Sequence, residues 1–331
     1  MRLLRILTIF VTLAVAVAAA GQNAARTVAM LDIPGSPGFN GIAMAKGMLL
    51  MSHSGANTVD IFDPQKRRVV GNVKGMSDPR GIAVNADGGE VYIANHDANN
   101  IVVLDTSDWH VKDTIPVSGA PTDVEYVPAW NTLVASDSVA QKLMFVDPRQ
   151  RREMGTIPNV GTPGGMAFDA SQGLLFVTLQ NSKEVIGLSR QFRIEKRFQL
   201  LASQPTGIVY DPQPNRLYVA VRYAVVTLDA NSGRELSRAP APAGIDQLSL
   251  DPDSRMLYGA AGGSLMVMRA GERLQVLDEV PTEVKGYLVA YDPERKMVYF
   301  PGAREGRSKL LLVQSPLASV PTEQSSEAKL H

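Results

Sequence analysis

The residues able to do chemistry stand in short polar loops between apolar runs and are not gathered into one motif. Asn40, Arg80, Asp123, Asp246 and Lys285 each lie just ahead of an apolar run, with Thr122 and Thr206 beside them in type. His53, His96 and Arg222 lie just after another set of runs, as do Asn57, Asn99, Asp137, Gln180, Asn181, Tyr223 and Arg304. Such a mixture of charged and amide groups can hold an anionic or hydroxylated ligand through charge-assisted hydrogen bonds. His53 and His96 occupy corresponding loops. With a carboxylate such as Asp97 or Asp137 they form a donor set suited to a transition metal, although no fixed short spacing marks them and both read equally well as ordinary loop residues.

Catalytic constellations are missing from the sequence. It contains no Gly-x-Ser-x-Gly, no His-Glu-x-x-His and no Gly-x-x-x-x-Gly-Lys, so a nucleophile elbow, a zinc protease helix and a phosphate loop are all excluded. With no cysteine among 331 residues, disulfides, thiolate zinc sites, covalently attached haem and cysteine nucleophiles are excluded as well. Charge is balanced at 33 basic and 33 acidic residues, which does not favour binding nucleic acid through bulk electrostatics. The basic runs Lys66-Arg67-Arg68 and Arg149-Gln150-Arg151-Arg152 read instead as charges that keep strand edges apart.

The elements that must position these loops repeat seven times. Pro79-Arg80-Gly81-Ile82-Ala83-Val84-Asn85, then Glu90-Val91-Tyr92-Ile93-Ala94-Asn95, then Ile101-Val102-Val103-Leu104-Asp105 recurs as Pro205–Asp211, Arg216–Ala220 and Val225–Asp229. One residue of the second run can be followed as Leu50, Tyr92, Val134, Phe176, Tyr218, Tyr258 and Tyr299, at steps of 42, 42, 42, 42, 40 and 41 residues. The runs are five or six residues long, rich in Val, Ile, Leu and Tyr, and separated by Gly, Pro, Asn and Asp, which is strand chemistry. Asp-Pro pairs at 63–64, 147–148, 211–212, 251–252 and 292–293 supply turns. Four strands per unit of about 40–45 residues define a β-propeller blade. The last unit ends after its third strand, Leu310–Val313, while an unclaimed strand, Thr27–Ile33, precedes the first. This predicts an all-β, seven-bladed propeller of four-stranded antiparallel blades over residues 21–314, closed by the N-terminal strand. Both the loops leading into each innermost strand and those joining second to third strands then share one face, the mouth of the channel.

Flanking segments differ in character. Arg2 and Arg5, the apolar run Ile6–Val17 and Ala18-Ala19-Ala20 make residues 1–20 a secretory signal peptide cut after Ala20. The run is shorter than the ~20 apolar residues that span a bilayer, and no other segment is apolar enough, so the expectation is a periplasmic or secreted monomer. Its charges would be 31 basic and 33 acidic. Residues 315–331 are polar and aperiodic, the composition of a disordered tail.

The phrase Val91-Tyr92-Ile93-Ala94-Asn95 within a unit opening Pro-x-Gly-Ile-Ala resembles the YVTN-repeat β-propellers, with weaker copies at Leu217–Ala220 and Leu175–Thr178. The resemblance spans residues 27–313. It implies an exported bacterial propeller structurally akin to the lactonase propellers, in a group that also includes propeller subunits of redox enzymes. Calcium-dependent lactonases use a first-blade Glu and a later Asn. Here Pro34–Asn40 contains no carboxylate, and Thr206 stands at the position of the Asn. The expected function is therefore a non-catalytic binding or scaffold module, with an unknown protein or small molecule as partner and no cofactor. A lactonase-like hydrolase, with calcium, is the alternative, and an accessory role in a periplasmic redox system is the third.

Overall fold

In every repeat the second strand carries a bulky apolar residue that fills the blade, and all seven of these residues, from Leu50 to Tyr299, are at most 1% exposed. Runs this short cannot bury such side chains as helices, whereas stacked sheets enclose them on both faces. The computed structural model describes residues 25–316 apart from 86 and 272, and forms seven antiparallel sheets of four strands. Blade 1 comprises Gly41–Ala45, Met48–His53, Thr58–Asp63 and Arg68–Val73. Blades 2 to 6 begin with inner strands Pro79–Asn85, Asp123–Val127, Pro163–Asp169, Ile208–Asp211 and Leu248–Asp251. Blade 7 takes Ala290–Asp292, Met297–Arg304 and Arg307–Gln314 from the C-terminal side.

Its fourth strand is N-terminal. Arg26–Asp32 runs antiparallel to Arg307–Gln314, in register from Arg26 with Gln314 to Asp32 with Lys309. The ring is thus tied shut by pairing the two ends of the chain, which removes the open edges of a linear array. Ser315 and Pro316, assigned by composition to the tail, are buried; the Ser315 amide donates to the Lys296 carbonyl at 2.9 Å. The signal-peptide reading of residues 1–20 and the tail from 317 onward lie outside the described residues. Among the described residues no helix is long and apolar enough to cross a membrane.

Turn chemistry follows the sequence. Asp63 Oδ1 accepts from the Gln65 and Lys66 amides at 2.8 and 3.0 Å, and Asp147 does the same for Arg149 and Gln150. At the opposite ends of the blades, single 3₁₀ turns at Ser54–Ala56 and His96–Ala98 join second to third strands. Each ends on an asparagine in the left-handed region, Asn57 at φ 54° and Asn99 at φ 52°, a conformation Asn tolerates better than most residues.

Candidate functional site

The inner strands approach so closely at the channel that side chains are excluded at set positions. A Cβ on Gly41 would fall 2.2 Å from the Arg80 carbonyl oxygen of the next blade, and one on Gly81 would fall 2.1 Å from Asp123 Oδ1. This is the physical reason for the glycine in Pro-x-Gly-Ile-Ala. Backbone hydrogen bonds then lace blade to blade: Gly81 N to Thr122 O at 3.3 Å, Gly165 N to Thr206 O at 3.1 Å, and Asp246 N to Tyr287 O at 3.2 Å. Within this collar lies a cavity of about 500 Å³, in the size range of small-molecule sites.

Its charged lining is mostly acidic. Asp123 and Glu125 alternate along the inner strand of blade 3 and so share one face, while Asp246 comes from the loop leading into blade 6. Asp123 and Glu125 keep some exposure to the cavity but are otherwise enclosed by protein. Burial pushes the Asp123 carboxyl up to about 7. Burial, followed by the neighbouring charge of Asp123, pushes Glu125 up to about 8. Asp246 is more open to the cavity and is raised less, by burial, to about 6. Among the described residues, none of the three has a cationic side chain within salt-bridge distance, and the only hydrogen bond to any of their carboxyl oxygens is from the Val124 amide to Asp123, at 2.9 Å. Arg80, the one cation among the described residues lining the cavity, is taken by Asp78, whose Oδ2 accepts from Arg80 Nε at 2.8 Å and lies 2.7 Å from a second guanidinium nitrogen. Sequence reading foresees mixed charge and an anionic or hydroxylated ligand; the assembled cavity leaves negative charge unbalanced.

Of the candidate residues, Asn40, Arg80, Asp123 and Asp246 line this cavity together with Thr122, Gln180 and Thr206, and His53, His96, Arg222 and Lys285 do not. His53 is fully buried in the seam between blades 1 and 7. One ring nitrogen meets Asp60 at 2.8 Å, the other meets the Ser36 carbonyl at 2.7 Å and Ser308 Oγ at 3.2 Å, and Phe39 stacks on the ring at 4.3 Å. An imidazole with both nitrogens engaged supports packing and has no lone pair to offer a ligand. Arg222 is exposed and lies over the Tyr223 ring at 5.2 Å. Lys285 is exposed, and its backbone pairs with Ala303.

His53 and His96 therefore do not form the metal pair considered from sequence. His96 instead joins Asp78 and Asp97, with ligand atoms within 4.8 Å of one another. Arg80 already supplies positive charge to that group through Asp78.

Glu125 and Ser136 are the residues sequence reading missed. The repeat contained the signal for Glu125: at its position the other blades have Ala43, Ala83, Ala167, Val209, Ser249 and Ala290. Ser136 is the cross-strand partner of Asp123, lines the cavity, is 0% exposed, and its hydroxyl has no hydrogen-bond partner.

Acids at the opposite end of the blades are treated differently. Burial disfavours the charged form of Glu90, but hydrogen bonds from Arg151, Lys112 and the Tyr92 hydroxyl override it and hold the carboxyl at about 2. The Asp211 side chain is fully buried and is gripped through both oxygens by Arg255 of the next blade. Arg151, read from sequence as an edge charge, is thus an inter-blade clamp.

No protein-family model and no curated protein matches the sequence. Solved structures do match in fold. Hydrazine synthase from Kuenenia stuttgartiensis superposes with a TM-score of 0.73 at 16% identity, covering 88% of this chain and 99% of that one. The Cps50 (Swd1) β-propeller domain from Myceliophteria thermophila gives 0.74 at 12%, covering 88% and 99%. Virginiamycin B lyase from Staphylococcus aureus gives 0.71 at 12%, covering 86% and 98%. At these identities the likeness shows a seven-bladed β-propeller, a fold often used for protein binding and scaffolding, and function must be argued from the site.

Proposed function

We propose that this chain is an exported, non-catalytic binding or scaffold propeller that engages a ligand or protein partner at its channel mouth. The observation that carries this reading is that Asp123, Glu125 and Asp246 depart from the repeat and have no cationic partner among the described residues. Acids placed where six other blades manage without them, and engaged in no ion pair among the described residues, are free to meet something from outside. The resemblance to YVTN-repeat propellers and the signal-like residues 1–20 support a periplasmic or secreted address.

Thermal unfolding of the purified protein against panels of amines, sugars and carboxylates tests the reading. A ligand at a hundred times its dissociation constant adds about 2.7 kcal/mol, which moves the midpoint by roughly 5 °C for a domain of this size. The shift should shrink in an Asp123→Asn/Asp246→Asn double variant. An undiminished shift would put binding elsewhere. One observation favours a second reading, a lactonase-like hydrolase: paired carboxyls raised to about 7 and 8 are suited to general acid–base work. Turnover of a lactone panel that is lost in Glu125→Gln would establish it over the first.

A further inference from the structure

The two acidic groups stand on nearly opposite walls. Blades 3 and 6 are three steps apart on a ring of seven, about 150° around the axis. On one wall Asp123 and Glu125 share a face with Ser136, whose buried hydroxyl has no partner among the described residues. On the other, Asp246 is tied by its backbone amide to the Tyr287 carbonyl, and the Tyr287 ring is 48% exposed beside the same cavity.

We propose that the channel mouth binds a linear aliphatic diammonium ion, one ammonium at Asp123, Glu125 and Ser136 and the other at Asp246 beside Tyr287. This rests on the binding reading above and names its ligand class. An ammonium carries three donors and no acceptor, so it matches carboxylate oxygens and leaves the Ser136 hydroxyl satisfied as an acceptor. The exposed Tyr287 ring lining the same cavity suits an organic cation. A single metal ion needs its ligands to converge within a few ångströms. Among the described residues, the three channel acids do not bring their oxygens within 4.8 Å of one another, as Asp78, His96 and Asp97 do. The cavity of about 500 Å³ holds an extended chain of several carbons with room for water.

Isothermal titration calorimetry with putrescine, butylamine, 1,4-butanediol and calcium chloride, at moderate salt, tests the assignment on the full protein. Putrescine should bind at least about tenfold more tightly than butylamine, since a second ion-paired contact of about 1.4 kcal/mol is worth a factor of ten, and butanediol should not bind. Asp123→Asn and Asp246→Asn should each weaken putrescine by about tenfold or more. Ser136→Ala should weaken it by about threefold with an unchanged melting temperature. The amide variants are near-isosteric and remove unpaired charge, so they should fold; Glu125→Gln provides an independent check on the same wall. Putrescine affinity unaltered by these variants would overturn the proposal by placing the amine elsewhere. Calcium binding without putrescine binding, or a neutral or anionic ligand from the thermal panel without any amine, would also overturn it while leaving the binding reading intact. Loss of every ligand response would remove both.

Discussion

The two ends of the blades handle carboxylates in opposite ways. At the rim, Glu90 and Asp211 are buried and paired with an arginine from the next blade; around Glu90 these bonds, with Lys112 and Tyr92, hold the carboxyl low. At the channel mouth Asp123, Glu125 and Asp246 have no such partner, and burial holds them high. Of the rim acids, Asp211 belongs to the repeat, since Asp169, Asp211, Asp251 and Asp292 close the inner strands of blades 4 to 7, whereas Glu90 stands where the other blades have Met48, Thr132, Leu174, Arg216, Met256 and Met297. The channel acids interrupt the repeat as Glu90 does. What separates the two regions is the partner: Glu90 and Asp211 are held by an arginine of the next blade, and the channel acids, with no cation in salt-bridge reach among the described residues, are the ones available for recognition.

Removing a clamp should give the largest effect. Arg255→Met strands the Asp211 carboxylate, fully buried, and breaking such a pair costs about 3–5 kcal/mol. Chemical denaturation should show that loss; a change under 1 kcal/mol would mean the rim pairs are ornamental. His53→Ala comes next, since it leaves buried Asp60 without its imidazole and should cost about 2–3 kcal/mol with no effect on putrescine affinity.

The pH dependence separates the two regions by sign. Glu90 ionises more readily folded than unfolded, so its contribution is present above about pH 4.5 and fades as pH falls toward 2. Glu90→Gln should therefore destabilise the protein by about 2–3 kcal/mol at pH 7 and much less near pH 2. Glu125 keeps its proton longer when folded, so stability is lost as pH rises from about 4.5 through 8. Glu125→Gln should accordingly raise the melting midpoint by about 5 °C or more at pH 8.5 and leave it unchanged at pH 4; a lower midpoint at pH 8.5 would contradict an unpaired site. Smallest of all, Arg222→Ala and Lys285→Ala, both exposed and outside the cavity, should change stability by less than about 0.5 kcal/mol and leave binding untouched.

The architecture was legible because a propeller writes each blade separately. The series from Leu50 to Tyr299 marks a buried position in all seven sheets, and the surplus strand at 27–33 together with the missing one after Val313 foretold the closure. The site was half legible. Loop position pointed to Asp123 and Asp246, but His53 was misplaced because a polar residue at a strand end says nothing of the neighbour across the seam. Asp60 and Ser308, the latter 255 residues away, decide its role. Glu125 sits inside a strand, whereas polarity along the sequence marks the loops. Only comparison with its uncharged equivalents, four alanines, a valine and a serine, makes it stand out. Ser136 gave no sequence signal of its own, since Ser52 and Thr178 occupy the same place in blades 1 and 4.

The most direct test is to titrate the side-chain carboxyls by carbon-13 NMR of protein labelled at Asp and Glu, assigning Asp123, Glu125, Asp246 and Glu90 by single amide variants. The account predicts that the three channel acids titrate near 7, 8 and 6 while Glu90 stays ionised down to about 2. Channel carboxyls titrating together with the rest of the surface, near 4, would show that they are solvated or paired like any others, and the distinction between clamp and recognition site would fall.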